Sequence, residues 1–362
     1  MTHSAFDEVR PPEPPRRRRR GGRGRRRRPG GGEGNREMVM VPEAEFTSYY
    51  GRPVVKPPPW GHEVAAYLFL GGLAAGSGLL GAGAQVTGRP TLRRNARLTA
   101  LGAVGLGTVA LVKDLGRPER FYNMLRTFKV TSPMSVGSWI LTAFSSCLSV
   151  AATAELDRVT GRRLPLGPLR RVLTGLEGPA GLGAGLFAPP LGAYTAVLLS
   201  DTAVPTWNDA HRDLPFVFVS SASLAAGGMA MLTTPTREAG PARALAALGV
   251  VGDVTAMRLM ERRMDPVTVE PLHEGTAGKM LAWSERLAIA GGLGALLGGR
   301  CRPVAVVSGA ALVAASALTR LGVFDAGLHS ARDPRYTIKP QRRRLEARRA
   351  AGVTDDSITT VG

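Results

Sequence analysis

Cysteine is nearly missing from this chain: there are two in 362 residues. That excludes a disulfide framework and leaves no thiolate set for a zinc or iron–sulfur centre. Histidine is almost as scarce, and His3, His62, His211, His273 and His329 are the full complement. None sits inside an apolar run, so a haem held between two helix histidines is excluded. Aromatic residues make up 6%, too few for a stacking platform that binds single-stranded nucleic acid. The long middle of the chain also lacks charge. The net +19 is concentrated at the ends, with 14 Lys and Arg in the first 60 residues and 8 more from residue 325 onward. The charge therefore describes the tails and names no specific nucleic-acid partner.

What is present sorts into three regions. Residues 1–56 are rich in Pro, Arg and Gly, and Arg16–Arg28 contains nothing but Arg and Gly. Such a segment cannot bury a core and reads as a disordered basic arm. It is not read as a signal peptide, because no short apolar segment follows the arginines within reach. Eight apolar runs follow, at about 63–87, 97–113, 135–154, 178–200, 214–233, 242–260, 280–299 and 303–324. Each approaches the roughly 20 residues that span a bilayer. Soluble helices are mostly amphipathic, and eight such runs do not fit that pattern. The sequence thus predicts an all-α polytopic membrane protein, with eight transmembrane helices in two four-helix bundles over residues 57–330. A basic tail, 331–362, closes the chain.

Eight spans place both termini on one side. Counting loops and juxtamembrane residues, that side carries 18 Lys and Arg against 13. The positive-inside bias then puts both termini in the cytoplasm, in a cell plasma membrane. The acidic loop 200–214 argues the other way.

Ionisable residues within spans are costly and usually functional. By depth, Glu63, Asp114, Arg117, Asp253, Arg258, Glu285, Arg286, Arg320 and Asp325 all fall toward the terminal side. The opposite half shows no comparable set, and the midplane is apolar apart from a kink expected at Pro189-Pro190. This predicts a polar cavity opening at one interface. Glu63 and Tyr67 are four apart and share a helix face. Tyr194 lies about two turns from the end of its run, on the same side. Phenols that donate hydrogen bonds and a carboxyl that moves protons suit a ring with two carbonyl oxygens.

The most specific stretch is Lys113-Asp114-Leu-Gly116-Arg117-Pro118-Glu-Arg120-Phe121-Tyr122-Asn123-Met124-Leu125-Arg126, continuing to Ser132-Pro133-Met134-Ser135-Val-Gly137-Ser-Trp139. It reads as a charged loop that stops one helix, turns at Gly116–Pro118 and restarts at Ser132. There Ser132 is the predicted N-cap and Pro133 the first helical residue. Asp114 and Arg117 either pair to fix the turn or serve a site.

This pattern resembles the NrfD-type family, the membrane subunits of polysulfide-reductase-like and related molybdenum oxidoreductases. Further resemblance lies in Tyr67-Leu-Phe-Leu-Gly-Gly-Leu-Ala-Ala-Gly76, and in Gly192-Ala-Tyr194-Thr-Ala-Val-Leu-Leu199 followed by Pro205-Thr-Trp207. It covers roughly residues 57–330. The resemblance implies a helical subunit without haem or iron–sulfur cluster that binds a quinone, menaquinone or ubiquinone, near one interface. It also implies docking on a ferredoxin-like iron–sulfur subunit, which connects the quinone to a molybdopterin-type catalytic subunit. By position Glu63, Tyr67, Asp114 and Tyr194 fall in the expected quinone pocket, with Glu63 and Asp114 as proton carriers and Tyr67 and Tyr194 orienting the ring. Arg117 is assigned to the ring or to the partner. Some quinone-reactive relatives carry a histidine on the first-helix face; here that face shows Glu63 and Tyr67. The competing readings are a passive membrane anchor and an ion or small-molecule transporter. The second would show inverted repeats and polar midplane residues.

Overall fold

The structure is a computed structural model that describes residues 53–352. Most of the basic arm, including Arg16–Arg28, lies outside the described residues. Among the described residues there are twelve α-helices and no strand. They are α1 (His62–Val86), α2 (Pro90–Asp114), α3 (Phe121–Arg126), α4 (Pro133–Val159), α5 (Leu169–Ser200), α6 (Pro205–Asp209), α7 (Leu214–Thr233), α8 (Gly240–Arg263), α9 (Pro266–His273), α10 (Gly275–Leu297), α11 (Arg302–Arg332) and α12 (Arg335–Ala350).

Seven of these, α1, α2, α4, α5, α7, α10 and α11, are long and apolar enough to cross a membrane. The eighth expected span is α8, whose apolar stretch is thinned by Arg243, Asp253, Arg258 and Glu261. The eight long helices form the two expected bundles. Helices α1, α2, α4 and α5 pack together, and so do α7, α8, α10 and α11. Helix α1 is the hub, lying against α2 and α5 in its own bundle and α7 in the other. Its small residues make that possible: a side chain at Gly76 would collide with the Ala222 carbonyl and Ala226 of α7, and membrane helices use such positions to bring backbones close. The outward faces expose Leu106 and Val109, Leu186, Phe216, Leu248 and Leu297. Spread over water these would be a costly apolar belt; a bilayer covers them.

Several helices extend past the apolar runs. Helix α2 starts at Pro90, α5 at Leu169, and α11 runs on to Arg332. For α2 and α5 the reason is pairing. Arg93 and Arg97 meet Glu155 across the bundle, and Arg170 meets Asp157 at 2.8 Å. Neutralised charges continue a helix where hydropathy alone stops it. Helix α5 stays helical through Pro179, Pro189 and Pro190. The tail from residue 331 carries α12, seated through buried Tyr336 and Pro340 and an Arg343–Asp265 pair at 3.0 Å.

Glu238, in the turn before α8, caps α2. Its carboxylate accepts from the Thr91 hydroxyl at 2.7 Å and from the backbone N–H of Thr91 and Leu92 at 2.9 and 3.2 Å, filling orphan donors of that helix start. The Thr91 hydroxyl first, then the two N–H groups, hold its carboxyl below the usual carboxylate range. With a depressed native pKa, the cap's contribution is complete above the ordinary value and disappears as pH falls through the native one. Thermal unfolding against pH is expected to show less acid loss in Glu238→Gln than in the parent protein.

At the terminal end of the second bundle Trp207 is fully buried. Its indole N–H donates to the Val323 carbonyl at 2.8 Å, and its ring stacks on Trp60 and tilts against Phe324. A side chain at Gly327 would overlap it. Trp207→Ala is expected to cost about 3–5 kcal/mol, the usual range for emptying a large aromatic site. Denaturation of the detergent-solubilised chain checks this.

Candidate functional site

The terminal end of the first bundle gathers the sequence-predicted residues into two levels. The deeper level is a tyrosine pair. Tyr67 on α1 is 1% exposed, and its hydroxyl lies 2.9 Å from that of Tyr194 on α5. The ring of Tyr67 rests against Gly107 of α2. The ring of Tyr194 occupies the space a side chain at Gly137 of α4 would take. All four helices of the bundle thus fix this pair. Each hydroxyl has one proton to donate. The pair's own bond uses one, so one remains for an outside acceptor.

The upper level is a charged rim. Glu63, in the first turn of α1, sits about 6 Å along the axis from Tyr67 at 1.5 Å per residue. Its carboxylate pairs with the Lys113 ammonium at 3.1 Å, and a third of its side chain is exposed. Asp114 ends α2 half-buried, with no hydrogen bond or ion pair among the described residues. Arg117 is exposed in the following turn. The Asp114–Arg117 pair offered as one reading of the loop is not formed. The turn is made by Gly116 instead, whose φ of 65° lies in the left-handed region where a side chain is strained.

The rest of the loop follows its expected pattern. Pro133 opens α4, and the Ser132 hydroxyl accepts from the Ser135 N–H. The Ser135 hydroxyl donates to the Thr127 carbonyl and accepts from Lys129 N–H, both at 3.0 Å. This fastens the loop over a groove of about 410 Å³ between α2, α3 and α4. Leu111, Phe121, Leu125 and Leu141 supply its apolar wall, and Ser138, Thr142, Ser145 and Ser149 a polar stripe. Leu141 belongs to the same apolar core as Tyr67, so the groove and the tyrosine pair lie in one bundle, although neither tyrosine lines the groove. The Ser138 and Thr142 hydroxyls donate to carbonyls of their own helix, whereas the buried Ser145 hydroxyl has no partner among the described residues. Sequence reading missed the partner Lys113, the seat Gly137 and the stripe on α4. Lys113 and Gly137 lie inside the quoted motif, and the stripe repeats at helical spacing.

The expectation that ionisable groups crowd only the terminal side is corrected. At the opposite end of the first bundle Glu155, 2% exposed, accepts from Arg93 Nε at 2.7 Å, Arg97 at 3.0 Å and Arg158 at 2.9 Å. Arg97 also reaches Gln85 and the Glu177 carbonyl, and Arg158 reaches the Glu177 carboxylate. The expectation of an apolar midplane is corrected too. Because α11 continues to Arg332, Arg320 lies about 18 Å from its end, deep between the bundles. Its fully buried guanidinium donates to the carbonyls of Leu68 and Phe218 and lies 4.3 Å above the Phe218 ring.

The family model described as "Polysulphide reductase, NrfD" matches residues 54–257, from just before α1 to late in α8. The protein belongs to this family and is an integral membrane protein. It is 27% identical over 173 residues to a polysulfide reductase subunit of Wolinella succinogenes, covering 45% of this protein and 54% of that one. It is 32% identical over 195 residues to protein NrfD of Escherichia coli, covering 49% of this protein and 60% of that one. The protein spans a little over half the length of these curated relatives.

Proposed function

We propose that this protein is the quinone-binding membrane subunit of an oxidoreductase complex, exchanging electrons with a docked iron–sulfur subunit that serves a molybdopterin-type catalytic subunit. The observation that carries the reading is the hydrogen-bonded pair of buried Tyr67 and half-buried Tyr194, in the bundle that also carries the groove under the loop. A bound quinone takes up or releases two electrons and two protons. The free phenol proton of the pair orients a ring carbonyl. The groove walls, Leu111, Phe121 and Leu141, hold apolar surface and exclude water. At the rim, Glu63 with Lys113, and Asp114, pass protons between solvent and the pocket mouth. Exposed Arg117 and the loop around it offer the face for the partner. By the Lys and Arg count that face is cytoplasmic, in the plasma membrane.

The test separates quinone chemistry from the partner's. Tyr194→Phe is expected to lower quinone-dependent turnover about tenfold, the worth of one hydrogen bond of roughly 1.4 kcal/mol. Reduction of an artificial dye by the catalytic subunit should be unchanged. Glu63→Gln is expected to slow the same quinone-dependent rate and spare the dye rate. Wild-type quinone turnover in Tyr67→Phe, Tyr194→Phe and their double variant would leave a passive anchor as the surviving reading.

A further inference from the structure

A second cavity, of about 310 Å³, lies in the other bundle, among α8, α9, α10 and α11. Its floor is built from Asp253 of α8, Ser284 of α10 and Thr319 of α11, which are 4%, 2% and 1% exposed. Asp253 and Ser284 lie about 14–15 Å along their helices from the terminal-side ends, which is near the middle of a hydrocarbon core. The mouth carries Arg258 paired to Glu285 at 2.7 Å, and His273 facing Glu261 at 3.7 Å.

The floor presents acceptors without donors. Oδ1 of Asp253 is buried and has no hydrogen-bond partner. The Ser284 hydroxyl donates to the Ala315 carbonyl at 2.7 Å. The Thr319 hydroxyl is committed to Ser284 at 2.6 Å or to Ala315 at 3.1 Å. Both hydroxyl protons are therefore engaged within this group, leaving lone pairs for the cavity. Arg320, next along α11, sends its two terminal nitrogens to Leu68, Phe218 and Thr195; its charge acts on Asp253 from a distance, but it makes no hydrogen bond or ion pair with that carboxylate, and its Nε is buried without a partner among the described residues. The charged groups at the mouth face acids there, Arg258 toward Glu285 and His273 toward Glu261, and none hydrogen-bonds Asp253. The Arg320 charge offsets part of the cost of burying Asp253 but does not contact Oδ1, and an unpaired buried carboxylate oxygen is expensive, so a ligand in the cavity belongs against it. No group of three His, Cys, Asp or Glu side chains with metal-holding spacing occurs among the described residues, which argues against a divalent or transition-metal centre. Oxygen-only ligands suit a hard cation, and a single carboxylate balances the charge of a monovalent one.

We propose that this cavity is an alkali-cation site, with Asp253 supplying the charge and Ser284 and Thr319 the neutral oxygens. It lies in the opposite bundle from the tyrosine pair and is independent of the quinone reading.

The probe is ²²Na⁺ with the full-length protein in detergent or nanodiscs, together with whatever subunits co-purify. The wild type is expected to retain one Na⁺ per molecule and to gain thermal stability as NaCl replaces choline chloride. Asp253→Asn should lose both responses. Thr319→Val, which removes one oxygen and keeps the volume, should weaken Na⁺ binding about tenfold, near 1.4 kcal/mol, and it carries the test if Asp253→Asn does not fold. Two results overturn the proposal. One is no Na⁺ retention and no difference between NaCl and choline. The other is stability that follows pH through Asp253 and ignores Na⁺, which would make the ligand a proton.

Discussion

Gly137→Ala should remove most quinone-dependent turnover while the neighbouring catalytic activity toward dyes persists. The cause is geometric. A Cβ at Gly137 falls within the ring of Tyr194. The far side of that ring is held by the hydroxyl contact to Tyr67 at 2.9 Å, and Tyr67 is pinned against Gly107 on α2. Tyr67 is fully buried and cannot yield, while half-buried Tyr194 can move only by leaving it. Overpacking a site of this kind costs about 1–3 kcal/mol. Relief comes either from rotating Tyr194 out of reach of Tyr67 or from parting α4 and α5. Both break the arrangement that orients the ring carbonyl, so the loss is expected at about 10- to 100-fold. Gly102→Ala on α2 is the matched control, because a Cβ there meets nothing within 4 Å. It should leave turnover unchanged and add a little helix stability. Full turnover in Gly137→Ala would mean that Tyr194 does not stand where the proposed function needs it. Combining Gly137→Ala with Tyr194→Leu should restore packing without restoring turnover, which separates crowding from lost chemistry.

The architecture is legible in the sequence because lipid imposes a crude rule that hydropathy reads well. Runs such as 63–87 and 214–233 become α1 and α7 nearly residue for residue. The rule fails where charges neutralise one another across helices. Arg93 and Arg97 look like the end of a span until Glu155, some sixty residues later, is seen to hold them. Arg320 looks like a headgroup anchor because the apolar run fades at 324, yet α11 continues for two more turns and buries it. The tyrosine pair is legible in part. Helical spacing puts Tyr67 on the face of Glu63, and span parity puts Tyr194 at the same end. Their mutual contact is not legible, since it depends on a glycine of α4 that nothing in one sequence marks as a seat. The two levels of the site reflect the same limit. Sequence groups Glu63 and Tyr67 by face, whereas depth, about a turn of helix, separates an ion-paired rim from a buried phenol.

At the opposite end of the first bundle, Glu155→Gln is expected to destabilise the protein by about 3–5 kcal/mol, the cost of stripping one partner from a buried charge cluster. Three guanidinium groups converge there, from Arg93, Arg97 and Arg158, with Glu155 at their centre and Glu177 beside them. Removing one of two carboxylates leaves three cations facing a single anion. Arg97 has no room to escape: it is 2% exposed, and a side chain at Gly181 would already strike it. Gln85, Arg97, Glu155 and Glu177 come from α1, α2, α4 and α5 in turn, so the repulsion acts on every helix that positions the tyrosine pair. A contrast is available in the same protein. Arg258 and Glu285 form a pair with side chains 63% and 46% exposed, and Arg258→Ala should cost no more than about 1 kcal/mol. Replacing the buried partners together, as Arg97→Met with Glu155→Leu, should recover much of the loss, because an apolar filling avoids the desolvation that the ions bear. Reversible SDS denaturation of the purified protein reads all three variants. If Glu155→Gln unfolded within about 1 kcal/mol of the parent, the cluster would not be the clasp of this bundle and solvent would have to reach the arginines.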